Sequence, residues 1–386
     1  MNSHVLVSPA RRVGRGKPVF DVKNAAILAI LLAASSTALS AQTWKGTIVK
    51  DGDVTVVRNP KTPLYPAGTL QLKEELAIGG ESLPAEAAFS VVRDLEVAPD
   101  GRIYIADVKQ DRIFVFDANG RFLTAFGKRG QGPGEFLSPM QMSLWNKKSE
   151  LFVDGMRKGV VFGLDGTYKE NIQYPIDMLM VKAAESGALA GTVMRYASTE
   201  DYYQLVKTRE GNAPPLILAK APIPNPQKYD PFMPRIAWTW RGDGTIVEGY
   251  PERYEIKIHN ADGKVVRILS RDYDPVAVPA REKEKVLKAM AADFKPDFSN
   301  DYPAFQYFVS DENGRLFVLT WEKASDGKGN KTDVFDSAGR FLLKLDNLGR
   351  VYRAVGGKLY CVDEDEEGYQ VMKRYALVWE KLKPCP

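Results

Sequence analysis

The sequence has few of the residues that enzymes most often use for covalent, acid–base or metal chemistry. Two cysteines and two histidines occur in 386 residues, and one of those histidines, His4, lies in the N-terminal leader. A zinc site of ordinary Cys/His composition is therefore close to excluded. Ser–His–Asp and Cys–His catalysis would both have to rest on His259, the one remaining imidazole. His259 lies near the end of the stretch "YEIKIHN", beside the Asn260–Gly263 turn, where it is expected to be a surface residue.

Net charge is the second absence. Five of the 53 basic residues and one of the 49 acidic residues belong to residues 1–41, leaving 48 of each in the remainder. A formally neutral chain gives no electrostatic reason to expect nucleic acid as a partner. The third absence is a membrane-length apolar run. "AAILAILLAA" (25–34) is shorter than the roughly 20 residues a span requires. It follows Arg11, Arg12, Arg15, Lys17 and Lys23 and precedes the small-residue stretch "SSTALSAQ". That order reads as a signal peptide over 1–41 and implies export to the periplasm, the cell envelope or the medium, with no membrane span in the mature chain. Both cysteines, Cys361 and Cys385, follow the leader. They either form a disulfide tying the C-terminal tail to the last repeat or remain two free thiols.

Long amphipathic helices are missing too. In their place stand short alternating strands separated by Asp-Gly and Asn-Gly turns. Aligning the turns exposes a repeat, clearest in "APDGRIYIADVKQDRIFVFDANGRFLTAFG" (98–127) and again at 310–345 and 241–269. Weaker copies occupy 147–172, 355–380 and 188–220. Each copy with its preceding strand makes four strands, which cannot bury both faces alone and must stack around a ring. The expected fold is an all-β six-bladed β-propeller of four-stranded antiparallel blades over 70–386. Residues 42–69 are expected to form an N-terminal hairpin and linker, residues 70–79 the closing strand of the last blade, and residues 280–292 a short helical insertion. "GKRGQGPGEF" (127–136) lacks the GK[ST] ending and following helix of a phosphate-binding loop, and is read as the joint between two blades.

Residues 92–139, from "VRDLEVAPDGRIYIADV" through "GKRGQGPGEFLSP", resemble an NHL repeat, a blade type of six-bladed propellers. The whole mature chain is similar to exported bacterial six-bladed propeller proteins of largely unknown role. The resemblance implies the fold strongly and the function poorly, because this scaffold hosts lyases, lactonases and binding modules alike.

Loops joining second to third strands, and one blade to the next, share one end of such a ring, and binding usually resides on clustered loops of this kind. Candidate ligand-binding residues at that end are Asp107, Arg112, Lys128, Arg129, Asp154, Arg157, Arg195, Tyr250, Arg253 and Trp321. Their cations suit an acidic protein, peptide or glycan of the cell envelope, with no cofactor. The alternative is a lactonase-like, metal-dependent hydrolase or lyase, with a divalent cation held in the channel by some of Asp94, Asp107, Asp154, Glu248 and Glu322. The acidic stretch "DEDEEG" (363–368) has an EF-hand-like opening, but Arg374 stands where the bidentate glutamate belongs, so a solvated hairpin loop is expected.

Overall fold

The recurring turn explains the recurring hairpin. In "APDGR" the Ala98 N–H donates to the Arg102 carbonyl at 2.9 Å and the Gly101 N–H to the Ala98 carbonyl at 2.9 Å. Gly101 has φ 86°, a left-handed conformation that glycine adopts without a Cβ clash. The same five-residue arrangement closes Asp117–Arg121, Asn260–Lys264, Asp311–Arg315 and Asp336–Arg340. In these turns the first side chain adds a lock: Asp117 Oδ1 accepts from the backbone of Asn119 and Arg121, both at 2.9 Å. The "DEDEEG" stretch ends in another such turn, with Tyr369 N donating to Asp365 Oδ1 at 2.7 Å.

In a computed structural model these hairpins build a ring. The structure describes residues 43–380 apart from 82, 197–200, 212, 224–229, 242–243, 291–295, 326 and 328. Three strands come first: β1 (Thr47–Asp51), β2 (Val54–Asn59) and β3 (Leu70–Gly79). Blade 1 consists of β4 (Val92–Val97), β5 (Ile103–Asp107), β6 (Arg112–Phe116) and β7 (Phe122–Phe126). Blade 2 is β8 (Met142–Trp145), β9 (Glu150–Asp154), β10 (Lys158–Gly163) and β11 (Tyr168–Gln173). Blade 3 is β12 (Leu179–Ala183), β13 (Leu189–Arg195), β14 (Tyr202–Lys207) and β15 (Leu216–Pro222). Blade 4 is β16 (Ala237–Trp240), β17 (Ile246–Gly249), β18 (Glu255–His259) and β19 (Val265–Arg271). After helix α1 (Ala280–Ala289) comes blade 5, with β20 (Tyr307–Ser310), β21 (Leu316–Lys323), β22 (Asn330–Phe335) and β23 (Phe341–Leu348). Blade 6 has β24 (Arg350–Val355), β25 (Lys358–Glu364) and β26 (Gln370–Trp379), and its fourth strand is β3. The fold is a six-bladed β-propeller, whose first strand in each blade lines the central channel.

The ring closes by pairing β3 with β26 over Leu70–Gly79, where the sequence places a closing strand. The hairpin does more than precede it. β2 lies parallel to β19, so β1 and β2 extend blade 4 to six strands. Asn59 fastens this addition. Its Nδ2 donates to the carbonyls of Ser270 and Gly339, and its Oδ1 accepts from Phe341 N at 2.7 Å and Trp44 Nε1 at 3.1 Å. The chain then passes blade 5, where Leu64 and Tyr65 donate to the carbonyls of Phe341 and Leu342.

The joint at 127–136 folds on itself. Glu135 accepts from Gly132 N at 2.9 Å and pairs with Lys128 at 3.1 Å, while Phe136 N donates to the Lys128 carbonyl. Phe136 is fully buried between blades 1 and 2. Gly127 has φ 81°, and a Cβ there would stand 2.3 Å from the Phe136 ring.

Two details differ from expectation. Helix α1 ends at Ala289, because Met290 is extended (φ −96°, ψ 158°), and residues 291–292 lie outside the described residues. His259 is buried rather than exposed, since a register shift between Ile258 and His259 turns its ring inward. There Nε2 sits 3.2 Å from Glu248 Oε1, and Nδ1 sits 3.1 Å from the Gly263 carbonyl. Cys361 is a buried thiol in β25, with its pKa pushed up by burial and no cysteine partner among the described residues; Cys385, with which a disulfide was one of two expectations, and residues 1–41 lie outside them.

Candidate functional site

The inner strands all begin at one end of the channel, the end that carries the blade-joining loops. A cavity of about 480 Å³ opens there, within the usual size of small-molecule sites. Three arginines mark it: Arg93 in β4, Arg235 just before β16 and Arg350 at the start of β24. Aromatic and sulfur-bearing side chains fill the spaces between them, notably Trp238, Tyr307, Tyr352 and Met180.

Backbone irregularities aim several of these groups. Between Val92 and Asp94 the β4–β5 register slips, leaving Arg93 as the extra residue of a bulge. The β24–β25 ladder slips between Val351 and Arg353, which frees Tyr352 in the same way. In β12 the extra residue falls between Leu179 and Lys182, and Met180 there carries φ 56°. A bulge bends its strand locally and re-aims a side chain, and left-handed backbone in a non-glycine residue is a cost that tends to persist at functional sites. All three bulged residues line the cavity.

The electrostatics are one-sided at the rim and balanced below it. Arg93 is more than half buried, and its Nε is buried with no acceptor. Its Nη2 contacts the Met180 sulfur at 3.4 Å. Burial, followed by the charges of Arg350 and Arg235, pushes the Arg93 pKa down, although a guanidinium stays charged at any ordinary pH. Arg350 lies over the rings of Tyr307 and Tyr352, each centroid 5.2 Å away. Among the described residues none of the three arginines has a carboxylate in ion-pair reach. Asp94 adjoins Arg93 but is engaged with Met142 N at 2.7 Å and Lys182 at 3.4 Å. Deeper in the channel, fully buried Glu96 pairs with Arg353, its pKa raised by burial. Lys182 and Arg353 line both this cavity and a second one of about 570 Å³ at the opposite end, so the two ion pairs stand between the cavities.

None of the ten residues proposed from sequence lines the cavity. Asp107 and Asp154 are fully buried at equivalent ends of β5 and β9, with their carboxylates holding backbone. Asp107 Oδ1 accepts from Lys109 N and Gln110 N at 2.8 and 3.0 Å. Asp154 accepts from Met156 N, from Tyr174 Oη at 2.8 Å and from Val181 N of the next blade at 2.8 Å. Lys128 pairs with Glu135, Arg129 with Asp111 at 3.5 Å, and Arg112 lies beside the Phe114 ring. Arg157, Arg195 and Arg253 are exposed, and Tyr250 is half-buried. Trp321 stacks on Tyr302, with centroids 4.2 Å apart and planes 4° from parallel. Of the five carboxylates considered as metal ligands, Asp94, Asp107 and Asp154 are engaged as above. Glu248 faces His259, and Glu322 pairs with Arg271 and Lys344. Among the described residues no three His, Cys, Asp or Glu side chains converge closely enough to hold a metal ion.

The arginines left a faint trace in the sequence. "VRDLEV" and "RVYRAV" each place an arginine inside a strand that lies on the ring axis. Strict alternation cannot say which face such a residue takes once a bulge resets the register.

Residues 86–220 match a family model described as a 6-bladed beta-propeller. A search of curated proteins finds no match. Among solved structures, a Bacteroides fragilis protein whose name presents it as exported superposes with a TM-score of 0.54 at 14% identity, over 84% of this chain and 99% of its own. Virginiamycin B lyase from Staphylococcus aureus gives 0.45 at 11% identity, over 80% and 100%. Regucalcin, a calcium-binding protein from Agrobacterium tumefaciens, gives 0.43 at 11% identity, over 77% and 93%. The likeness to the Bacteroides fragilis protein is one of fold, and the chain is a six-bladed β-propeller.

Proposed function

We propose that this chain is an exported binding module that takes an anionic ligand at the arginine-lined mouth of its channel. The observation that carries the reading is Arg93, a half-buried guanidinium with no carboxylate in ion-pair reach among the described residues, flanked by two further arginines in a preformed cavity. Buried charge is costly unless paired, so a site that gathers three like charges favours an incoming anion. A bidentate carboxylate, phosphate or sulfate fits the guanidinium fork. Exposed Arg157 and Arg253 stand in loops at the same end, Arg195 ends β13 there, and the three would add a steering field for an acidic peptide or glycan. The basic and apolar leader supports export. Metal-dependent hydrolysis or lysis has weaker support, because each channel carboxylate already has its own partner.

Thermal unfolding of the chain from residue 43 onward tests this, with citrate, inorganic phosphate, sulfate and acidic oligosaccharides, and separately with divalent cations and EDTA. An anion at a hundred times its dissociation constant raises the melting point by several degrees. Arg93→Ala and Arg235→Ala are each expected to weaken that anion about tenfold or more. Equal shifts in the variants, or no shift with any anion, would overturn the reading. A cation shift reversed by EDTA would replace it with metal chemistry.

A further inference from the structure

The cavity is not an axially symmetric funnel. Blades 1, 2, 5 and 6 reach it with residues in or next to their inner strands, such as Arg93, Gln141, Tyr307 and Arg350. Blade 3 also contributes Thr192 and Met194 from its second strand and Tyr203 from its third. The cavity therefore runs outward from the axis as a slot between blades 3 and 4, with Ile236 and Trp238 as its other wall. The core there is correspondingly thin. Among the described residues, the cluster between these blades holds three buried residues, Ala190, Leu205 and Ile246, against nine in the cluster of the preceding seam. Another gap, of about 700 Å³, opens between blades 6 and 1 at the same end, but acidic Asp363 and Glu364 line it and suit an anion less well.

We infer that the ligand is a small amphiphilic acid, with its anionic head on Arg93, Arg235 and Arg350 and an apolar tail laid in the slot against Met180, Met194 and Trp238. This inference rests on the anion-binding reading of the mouth. Charge complementarity fixes the head at the axial end, since among the described residues Thr192, Met194, Tyr203, Ile236 and Trp238 give the slot walls no ionised group beyond Arg235. Methionine and tryptophan provide polarisable, adaptable surface for a tail, and Leu179, partly exposed beside them, extends it. The Arg93–Met180 contact at 3.4 Å puts the charged and apolar parts side by side.

Isothermal titration of the chain from residue 43 onward with acetate, hexanoate, decanoate and decan-1-ol separates the two parts. Affinity is expected to rise about fourfold for each methylene that enters the slot, and decan-1-ol should bind far more weakly than decanoate. Arg93→Ala should weaken every acid, while the uncharged variants Leu179→Ser and Met194→Ser should weaken decanoate at least tenfold and leave acetate, inorganic phosphate or citrate unchanged. Two slot variants guard against one that fails to fold, which circular dichroism identifies. Arg93-dependent binding of short anions with no gain from tail length would overturn the amphiphile and leave the anion site standing. Decanoate binding that is indifferent to Arg93 would overturn both.

Discussion

Asp154 shows how one buried carboxylate couples the ring to pH. Burial pushes its pKa up from 3.8 to about 6, against the opposing effect of its bonds from Val181, Tyr174 and Met156. A folded-state pKa above the unfolded value means that the native chain holds more protons between the two. The resulting stabilisation is complete below pH 3.8 and is lost as pH rises through 6. Asp154→Asn removes this titration and also one acceptor between blades 2 and 3. The variant is expected to be less stable than the wild type, with a gap that narrows by about 2 kcal/mol between pH 4 and pH 7. Urea unfolding of both proteins across that range checks it, and a gap that widens would contradict the assignment. Asp107 occupies the same end of the equivalent strand, yet it holds the entry to its own blade rather than the next one. Both were expected at a binding surface. An aspartate following an apolar strand reads identically whether it faces solvent or anchors backbone.

At the scale of elements, the informative features are those that break a repeat. The hairpin β1–β2 has no counterpart in the other blades, and its hold on the ring passes through Asn59, which is buried and fully bonded. Asn59→Ala leaves the Phe341 N–H and the carbonyls of Ser270 and Gly339 without partners, each a loss of about 1–3 kcal/mol where water cannot reach. A destabilisation of roughly 3 kcal/mol in denaturant unfolding is expected, and a change below about 1 kcal/mol would mean the hairpin is not fastened here. The bulges in β4, β12 and β24 break the ladder instead. They carry Arg93, Met180 and Tyr352 into the channel mouth and are the reason that strand alternation alone did not point to them.

For the whole molecule the decisive contact is between β3 and β26, some three hundred residues apart in sequence. Without β3, blade 6 would expose the edge of β26 and the side of Met372 that packs against Ile78. A chain beginning at residue 60 loses the hairpin but keeps a closed ring, and is expected to unfold cooperatively at a lowered melting point. A chain beginning at residue 80 is expected to lose cooperative unfolding, as followed by calorimetry. Two equally cooperative transitions would show that closure contributes little.

The six blades, their turns, the joint at 127–136 and the closing strand were all legible in the sequence, because each depends on local chemistry that repeats. Asp-Gly and Asn-Gly turns, two-residue periodicity and a fixed order of strands specify a blade, and a blade with two apolar faces requires neighbours. Only the tertiary structure decided which side chains meet at the axis. That meeting joins six strands distant in sequence, and single-residue register slips choose the faces turned inward. Arg93, Arg235 and Arg350 become one site by ring closure, and the slot between blades 3 and 4 opens where their seam buries fewer apolar side chains than the seam before it.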